Sequence, residues 1–456
     1  MTDTNNPALL ADAAQRAMRY LAERDARRVF PSAAALDGLA AFDEPLPETP
    51  QDPAETLALL DRAGSPAVVA STGGRYFGFV TGGALPVTVG ANWLAAAWDQ
   101  NAGPLPSGPL PARLEQIALG WLVDLLRLPP ETGVGFVTGA TMANFSGLAA
   151  ARHSLLRRAG WDVEADGLFG APPITVVTGE EVHTSLLKAL ALLGLGRARV
   201  QRVPVDGQGR MRAEALPALD GPAIVCLQAG NVNTGAFDPL VELCQAAHAA
   251  GAWVHVDGAF GLWAAAAVAP ELRRLAQGIE LADSLATDAH KWLNVPYDCG
   301  LVFCREAQTL RAALSHSPAA YLGEPDGREA MNYTPEMSRR ARGVEVWAAL
   351  RSLGRKGLAE LIERNCRQAR RFADGLAAAG VEILNEVALN QVLAALDTPE
   401  RTRALVQAVQ QDGTCWCGST VWQGRFAMRI SVSSWATTDE DVERSIQAIV
   451  RLARTV

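Results

Sequence analysis

Apolar positions change their period along the chain, and each change predicts a different kind of element. From about Pro7 to Arg28 they fall at helical spacing (Leu10, Ala13, Met18, Leu21), after which Pro31, Pro45, Pro47, Pro50 and Pro53 interrupt the pattern. This predicts a helical arm followed by extended chain. One amphipathic helix is marginal in water, so the arm needs a surface to cover, and a second subunit is a candidate. Helical spacing returns from Ala112 to Leu126, ahead of Pro129-Pro130. Between Val134 and Phe303 short β-branched or apolar runs alternate with helical ones: Gly135 to Thr138, Ile174 to Val177, Ala198 to Val200, Ala223 to Leu227, Trp253 to Val256, Ser284 to Thr287 and Gly300 to Phe303. Short strands separated by helices predict a mostly parallel seven-stranded sheet covered on both faces, an α/β architecture. Beyond Gly343 a long helical stretch runs to about Ala379. It leads into a smaller α+β unit with strands at Val381 to Leu384, Val392 to Leu396, Thr420 to Trp422 and Phe426 to Val432, closed by a helix from Asp439 to Thr455. The predicted units are an N-terminal helical arm and extended segment over 1–75, a large domain over 76–340 and a small C-terminal domain over 341–456.

Composition narrows the class of partner. The 456 residues are 49% hydrophobic and 20% charged with a net charge of −8, which is globular composition, and no dense Lys/Arg run offers a footprint for nucleic acid or an anionic membrane. Small molecules are the expected partners. The 7 cysteines are scattered, and the one close pair, Cys415 and Cys417, has neither zinc-knuckle nor redox-motif spacing, so reduced thiols and no metal are expected. The opening Met-Thr-Asp-Thr-Asn-Asn-Pro lacks the regions of a signal peptide, and apolar runs such as Ala259 to Pro270 are too short to span a bilayer. A cytoplasmic protein is expected.

The segment Thr287-Asp-Ala-His-Lys-Trp292 follows a predicted strand and carries the sharpest chemical signal. Desolvating an ammonium is costly, and the same cost makes a partly buried lysine amine nucleophilic, so Lys291 is a Schiff-base candidate. Upstream, Trp253-Val-His-Val-Asp-Gly-Ala259 puts Asp257 at the carboxyl end of an apolar strand, where open α/β sheets bind ligands. Its carboxylate suits the protonated pyridine nitrogen of pyridoxal 5′-phosphate (PLP), which keeps that ring an electron sink. Thr138-Gly-Ala-Thr-Met-Ala-Asn144 follows another strand and opens a helix, offering backbone N–H groups to a phosphate. His183 follows the strand at Ile174 and belongs at the same edge, where an imidazole can stack on a cofactor ring or move protons. Singly these features are also ordinary loop lysines, helix caps and turns; together they are not.

The motifs Gly139-Ala-Thr with Ala143-Asn144, His183, Gly230-Asn-Val-Asn-Thr-Gly-Ala-Phe-Asp-Pro239, His255-Val-Asp257 with Ala259, and Ala282-Asp-Ser with His290-Lys291-Trp292 occur in the order and spacing of the PLP-dependent group II amino-acid decarboxylases. The chain resembles that family from about Pro45 onward. The resemblance implies the PLP-dependent transferase fold type I of aspartate aminotransferase, with Lys291 holding PLP as a Schiff base and Asp257 on the pyridine nitrogen. Ala259 is then expected against the ring face opposite His183, and Ala140 and Thr141 on the phosphate with His290 nearby. Asn231 and Ser284 are further expected cofactor neighbours, and Arg429, in Phe426-Ala-Met-Arg-Ile-Ser431, matches an arginine that binds the substrate carboxylate. The pocket segment Arg75-Tyr-Phe-Gly-Phe-Val-Thr-Gly-Gly83, with Tyr76 and Phe79 and with Trp93 and Trp98 downstream, leans toward an aromatic or apolar substrate side chain.

The pattern also departs from the family's. Asp288 stands where a phosphate-binding Asn is common; beside a phosphate it is expected to turn to His290 or a backbone donor. Asn231 replaces a Thr. The loop that carries a catalytic Tyr in many relatives falls around Ser315 to Arg339, with Tyr333 the first candidate and Tyr321 the second. The resemblance therefore implies decarboxylation of an L-amino acid, ahead of carbon–carbon lyase or aldehyde-synthase chemistry and then transamination. It further implies a homodimer with the active site at the subunit interface.

Overall fold

The computed structural model describes residues 7–315 and 328–456. Its strands, in chain order, are β1 (Tyr76–Phe77), β2 (Gly133–Val137), β3 (Thr175–Gly179), β4 (Gln201–Val203), β5 (Ala223–Gln228), β6 (Trp253–Asp257), β7 (Ser284–Asp288), β8 (Gly300–Cys304), β9 (Glu382–Ile383), β10 (Gln391–Ala395), β11 (Trp416–Trp422) and β12 (Arg425–Ser431). The larger sheet has 7 strands in the order β2-β8-β7-β6-β5-β3-β4. β8 runs antiparallel to both its neighbours, and every other pair is parallel. β5 reads Ala-Ile-Val-Cys-Leu-Gln and is buried along its whole length, because helices cover both faces and no side of the strand meets water. Helices Ala140–Arg158 and Thr184–Leu192 pack on one face through Leu148, Leu155, Leu186 and Leu190. On the other face lie Trp263, Trp292, Leu243 and Ile362.

The second sheet, β1-β11-β12-β10-β9, forms a separate core with Phe372, Leu376, Val442 and Ile449 from the helices that precede and follow it. β1 was expected to open the large domain, yet Tyr76 and Phe77 pair in parallel with Trp416 and Cys417 of β11. Two residues carry no periodicity, so only the long-range pairing reveals this. The long helix Gly343–Ala378 links the units and is interrupted at Gly354, whose φ of 59° is open to a residue without Cβ.

Three local readings are corrected. The stretch after the arm is not simply extended: Ala33–Asp37 and Pro53–Leu59 are short helices, capped by Ser32 and Asp52. Pro53 occupies the first helical turn, where a missing N–H costs nothing, and so starts a helix instead of breaking one. The edge strand β4 lies three residues beyond Ala198 to Val200, with only Val203 buried. Helix Pro86–Trp98 went unread because apolar residues surround it on every side, leaving Trp93, Leu94 and Trp98 exposed. No helix among the described residues is long and apolar enough to cross a membrane.

Candidate active site

The carboxyl ends of β2, β3, β5, β6 and β7 open on one edge of the large sheet, which gathers residues that the sequence scatters. Asp257 ends β6. One of its oxygens accepts from Asn144 Nδ2 (3.0 Å) and the other from the Ala259 N–H (3.1 Å), so the buried carboxylate is aimed by both partners. His183, half-buried beyond β3, is the N-cap of Thr184–Leu192, and its Nδ1 accepts from the Ser185 N–H at 3.2 Å. Burial holds its pKa below the usual histidine range; Asp257 and Asp288 pull it up, while Lys291 and Arg429 push it further down. His183 thus lies within electrostatic reach of the charged residues expected in the site.

Lys291 is carried on a pinned loop. The Asp288 N–H donates to Ala259 O (2.8 Å), and Cys299 O accepts from the N–H groups of Ala289 (3.0 Å) and His290 (3.1 Å). The Cys299 N–H in turn donates to His290 Nδ1 (3.1 Å). Gly82 backs the loop so closely that a Cβ there would lie 1.7 Å from the Lys291 carbonyl oxygen. Asp288 turns to both partners foreseen for it and to a third: Oδ1 accepts from the Ala140 N–H (2.6 Å) and lies 3.5 Å from His290 Nε2, and Oδ2 pairs with Lys291 Nζ at 2.9 Å.

These residues fit PLP. Helix Ala140–Arg158 presents its N-terminus to the same edge, and the N–H groups of Thr141 and Met142 have no acceptor among the described residues, so a phosphate would find donors there. Gly139 keeps the cradle open, since a Cβ would come within 3.1 Å of His290 Cε1 and 3.3 Å of Asp288 Oδ1. Asp257 would meet the pyridine nitrogen, and Lys291 would supply the amine.

Arg429, on β12, is half-buried and donates one hydrogen bond, from Nη1 to Asn233 Oδ1 at 3.3 Å. No carboxylate among the described residues pairs with it, and burial lowers its pKa. Nearby, Tyr76 stacks on Trp416 with ring centroids 5.0 Å apart, and Phe79 leans on the same indole at 5.4 Å. The Tyr297 ring lies 4.2 Å from the His290 ring. Burial, and then Tyr297, push the Tyr76 phenol up to about 12. Trp416 and Tyr297 were not singled out from the sequence: one lies in the small domain, the other on the lysine loop, and no spacing links them.

Three expected site residues move. Ser284 opens β7 at the opposite end from Asp288, and its buried hydroxyl meets Trp253 and His255, not a cofactor. The Tyr333 ring is buried among Val137, Val302 and Leu310 beneath the Arg328 guanidinium, 4.2 Å away, which removes it as the loop proton donor. Asn231 turns into its own loop, its Oδ1 accepting from the N–H groups of Asn233 (2.9 Å) and Thr234 (3.3 Å), and so shapes the segment that presents Asn233 to Arg429. Tyr321 lies outside the described residues.

A sheet-edge lysine, a strand-end aspartate, a helix-capping histidine and a helix N-terminus on this topology fit a PLP-dependent enzyme of fold type I. Residues 41–395 match the pyridoxal-dependent decarboxylase conserved domain. Tryptophan decarboxylase 1 of Oryza sativa subsp. japonica is 27% identical over 422 residues, covering 84% of this chain and 80% of its own. The aromatic-L-amino-acid decarboxylase of Bacillus atrophaeus is 28% identical over 436 residues, covering 91% and 88%. The crystal structure of Oryza sativa TDC with PLP and tryptamine superposes with a TM-score of 0.90 over 100% of this chain and 99% of that one, at 22% identity, a likeness of fold. The chain belongs to the pyridoxal-dependent decarboxylase family, with PLP as its cofactor and amino-acid decarboxylation as its chemistry.

Proposed function

We propose that this enzyme releases carbon dioxide from an L-amino acid with an aromatic side chain, using Lys291, Asp257, His183 and Arg429. The observation that carries the reading is Arg429: a half-buried guanidinium without a carboxylate partner among the described residues, beside the aromatic surface of Tyr76, Phe79 and Trp416. A substrate with a carboxylate at one end and an aromatic ring at the other answers both features. The relatives named for tryptophan and aromatic amino acids agree with it.

PLP, when bound, supplies an electron sink that accepts the pair left behind by the departing carboxylate. Arg429 would hold that carboxylate by paired N–H donors and fix the bond to be broken. The Asp257 carboxylate would face the ring nitrogen and favour its protonated form. Because Nδ1 of His183 accepts from Ser185, the imidazole proton sits on Nε2, which leaves that N–H free to serve as a proton donor. The aromatic surface would exclude water from the substrate side chain. The test is product analysis with L-tryptophan, L-tyrosine, L-phenylalanine and L-glutamate: amine and carbon dioxide in equal amounts from the aromatic substrates support the reading. Preference for glutamate refutes the aromatic assignment, and aldehyde with ammonia in place of amine refutes simple decarboxylation.

We also infer a homodimer. Helix Pro7–Glu23 buries none of its residues in the single chain, with Leu10 and Met18 exposed, and Trp93, Leu94 and Trp98 add further uncovered apolar surface. A reducing, cytoplasmic setting agrees with seven free, buried cysteines.

A further inference from the structure

Behind Asp257, away from the open edge, runs a buried polar chain that no step above uses. Trp253 Nε1 donates to Ser284 Oγ at 2.9 Å, Ser284 Oγ meets His255 Nδ1 at 2.8 Å, His255 Nε2 meets Asn144 Oδ1 at 2.8 Å, and Asn144 Nδ2 donates to Asp257 Oδ2 at 3.0 Å. His255, Ser284 and Asn144 are all 0% exposed. The chemistry at the two ends dictates every proton between them. A carboxylate only accepts, so Asn144 must turn its amide nitrogen to Asp257 and its oxygen to His255. His255 must then carry its proton on Nε2, which leaves Nδ1 as an acceptor for the Ser284 hydroxyl. An indole N–H only donates, so the Ser284 oxygen is its acceptor, and the Ser284 proton is free for His255. A longer contact from Ser284 Oγ to Gly147 O, at 3.4 Å, is the weaker alternative.

We propose that His255, relayed through Asn144, is a positioning residue for Asp257: a one-way series of donors locks the carboxylate's orientation and charge toward the cofactor's ring nitrogen. The inference rests on Asp257 facing that nitrogen. Burial drives the His255 pKa down to about 3, so the ring is neutral and can serve as donor on one side and acceptor on the other. Gly147 makes the room, since a Cβ there would lie 2.8 Å from His255 Cε1 and 2.9 Å from Nδ1. Thr178, also fully buried, has no such continuation; its hydroxyl finds no partner among the described residues, which sets the completed chain apart.

The test has one arm that needs no cofactor. With 15N-labelled histidine, the wild-type apoprotein should show, among its 6 histidines, a neutral imidazole protonated on Nε2 whose signals stay unchanged between about pH 5 and about pH 8. Its absence from the spectrum of His255→Leu assigns it. An Nδ1-protonated or titrating His255 overturns the proposal. In the second arm, His255→Leu should weaken PLP binding by about ten- to a hundredfold, the scale of one hydrogen bond to a charged group, and shift the visible absorption band of the loaded protein. His255→Gln, which restores one donor and one acceptor, should recover part of both. If Asp257→Ala weakens PLP binding but folded His255→Leu does not, the relay is wrong and the role of Asp257 stands. If Asp257→Ala also binds PLP normally, the reading of Asp257 itself fails.

Discussion

Replacing Arg429 by lysine keeps the charge and removes the geometry, which makes it the sharpest probe of substrate recognition. A guanidinium offers a planar fork of N–H donors, and among the described residues only Nη1 is engaged, through the 3.3 Å bond to Asn233. The remaining donors suit the two oxygens of a carboxylate. Lysine brings a single ammonium on a shorter, rounder head and would lose at least one charge-assisted hydrogen bond, about 1.5–3 kcal/mol. That corresponds to a fall in kcat/KM of roughly 10- to 150-fold, since each 1.4 kcal/mol is a factor of about ten. Steady-state amine release measures it, with PLP affinity determined in parallel on the same preparation. The loss should appear in kcat/KM while PLP binding stays unchanged, because Arg429 lies on β12 and not at the phosphate cradle. An Arg429→Lys enzyme with kcat/KM within about twofold of wild type, or one whose loss simply follows loss of PLP, refutes the assignment.

Gly82→Ala should disturb the lysine loop from behind, because the new Cβ would sit 1.7 Å from the Lys291 carbonyl oxygen; PLP loading and turnover should both fall in a protein that remains folded by circular dichroism. Glu115→Ala should lower stability by about 3–5 kcal/mol, as it strands the buried Arg339 guanidinium, whose Nη2 donates to both Glu115 oxygens at 2.7 Å; chemical denaturation reads the change, and Glu115→Gln should cost less. Deleting residues 1 to 45 should reduce both dimer fraction and PLP occupancy in analytical ultracentrifugation with absorbance detection, and a fully active monomer would contradict the dimer inference.

Much of the fold was legible because burial on both faces favours apolar runs, continuous from Ala223 to Leu227 in β5 and interrupted by polar residues in β6 and β7. What escaped was set by distance along the chain. β1 is a strand only because β11 pairs with it, and helix Pro86–Trp98 has no polar face to betray its period. The site divides the same way. Lys291, Asp257, His183 and the helix at Ala140 each follow a strand, so topology gathers them on one edge. Trp416 and Tyr297 come from separate elements, and His255 looked like part of a motif because its partners, Ser284 and Asn144, lie far off in sequence. Ser284 was misplaced because a matching motif gives a residue's address in the chain without the direction of its side chain, and Tyr333 because it was chosen by its position within a loop with no motif to fix it.

Whether Lys291 carries the cofactor is open to chemical trapping. The purified protein, loaded with PLP, is treated with borohydride, digested and mapped by mass spectrometry. Loss of the visible absorbance is expected, with a single reduced pyridoxyl adduct on the peptide containing Lys291 that is absent from Lys291→Ala. An adduct on another lysine, or none from a protein that still turns over its substrate, would contradict it.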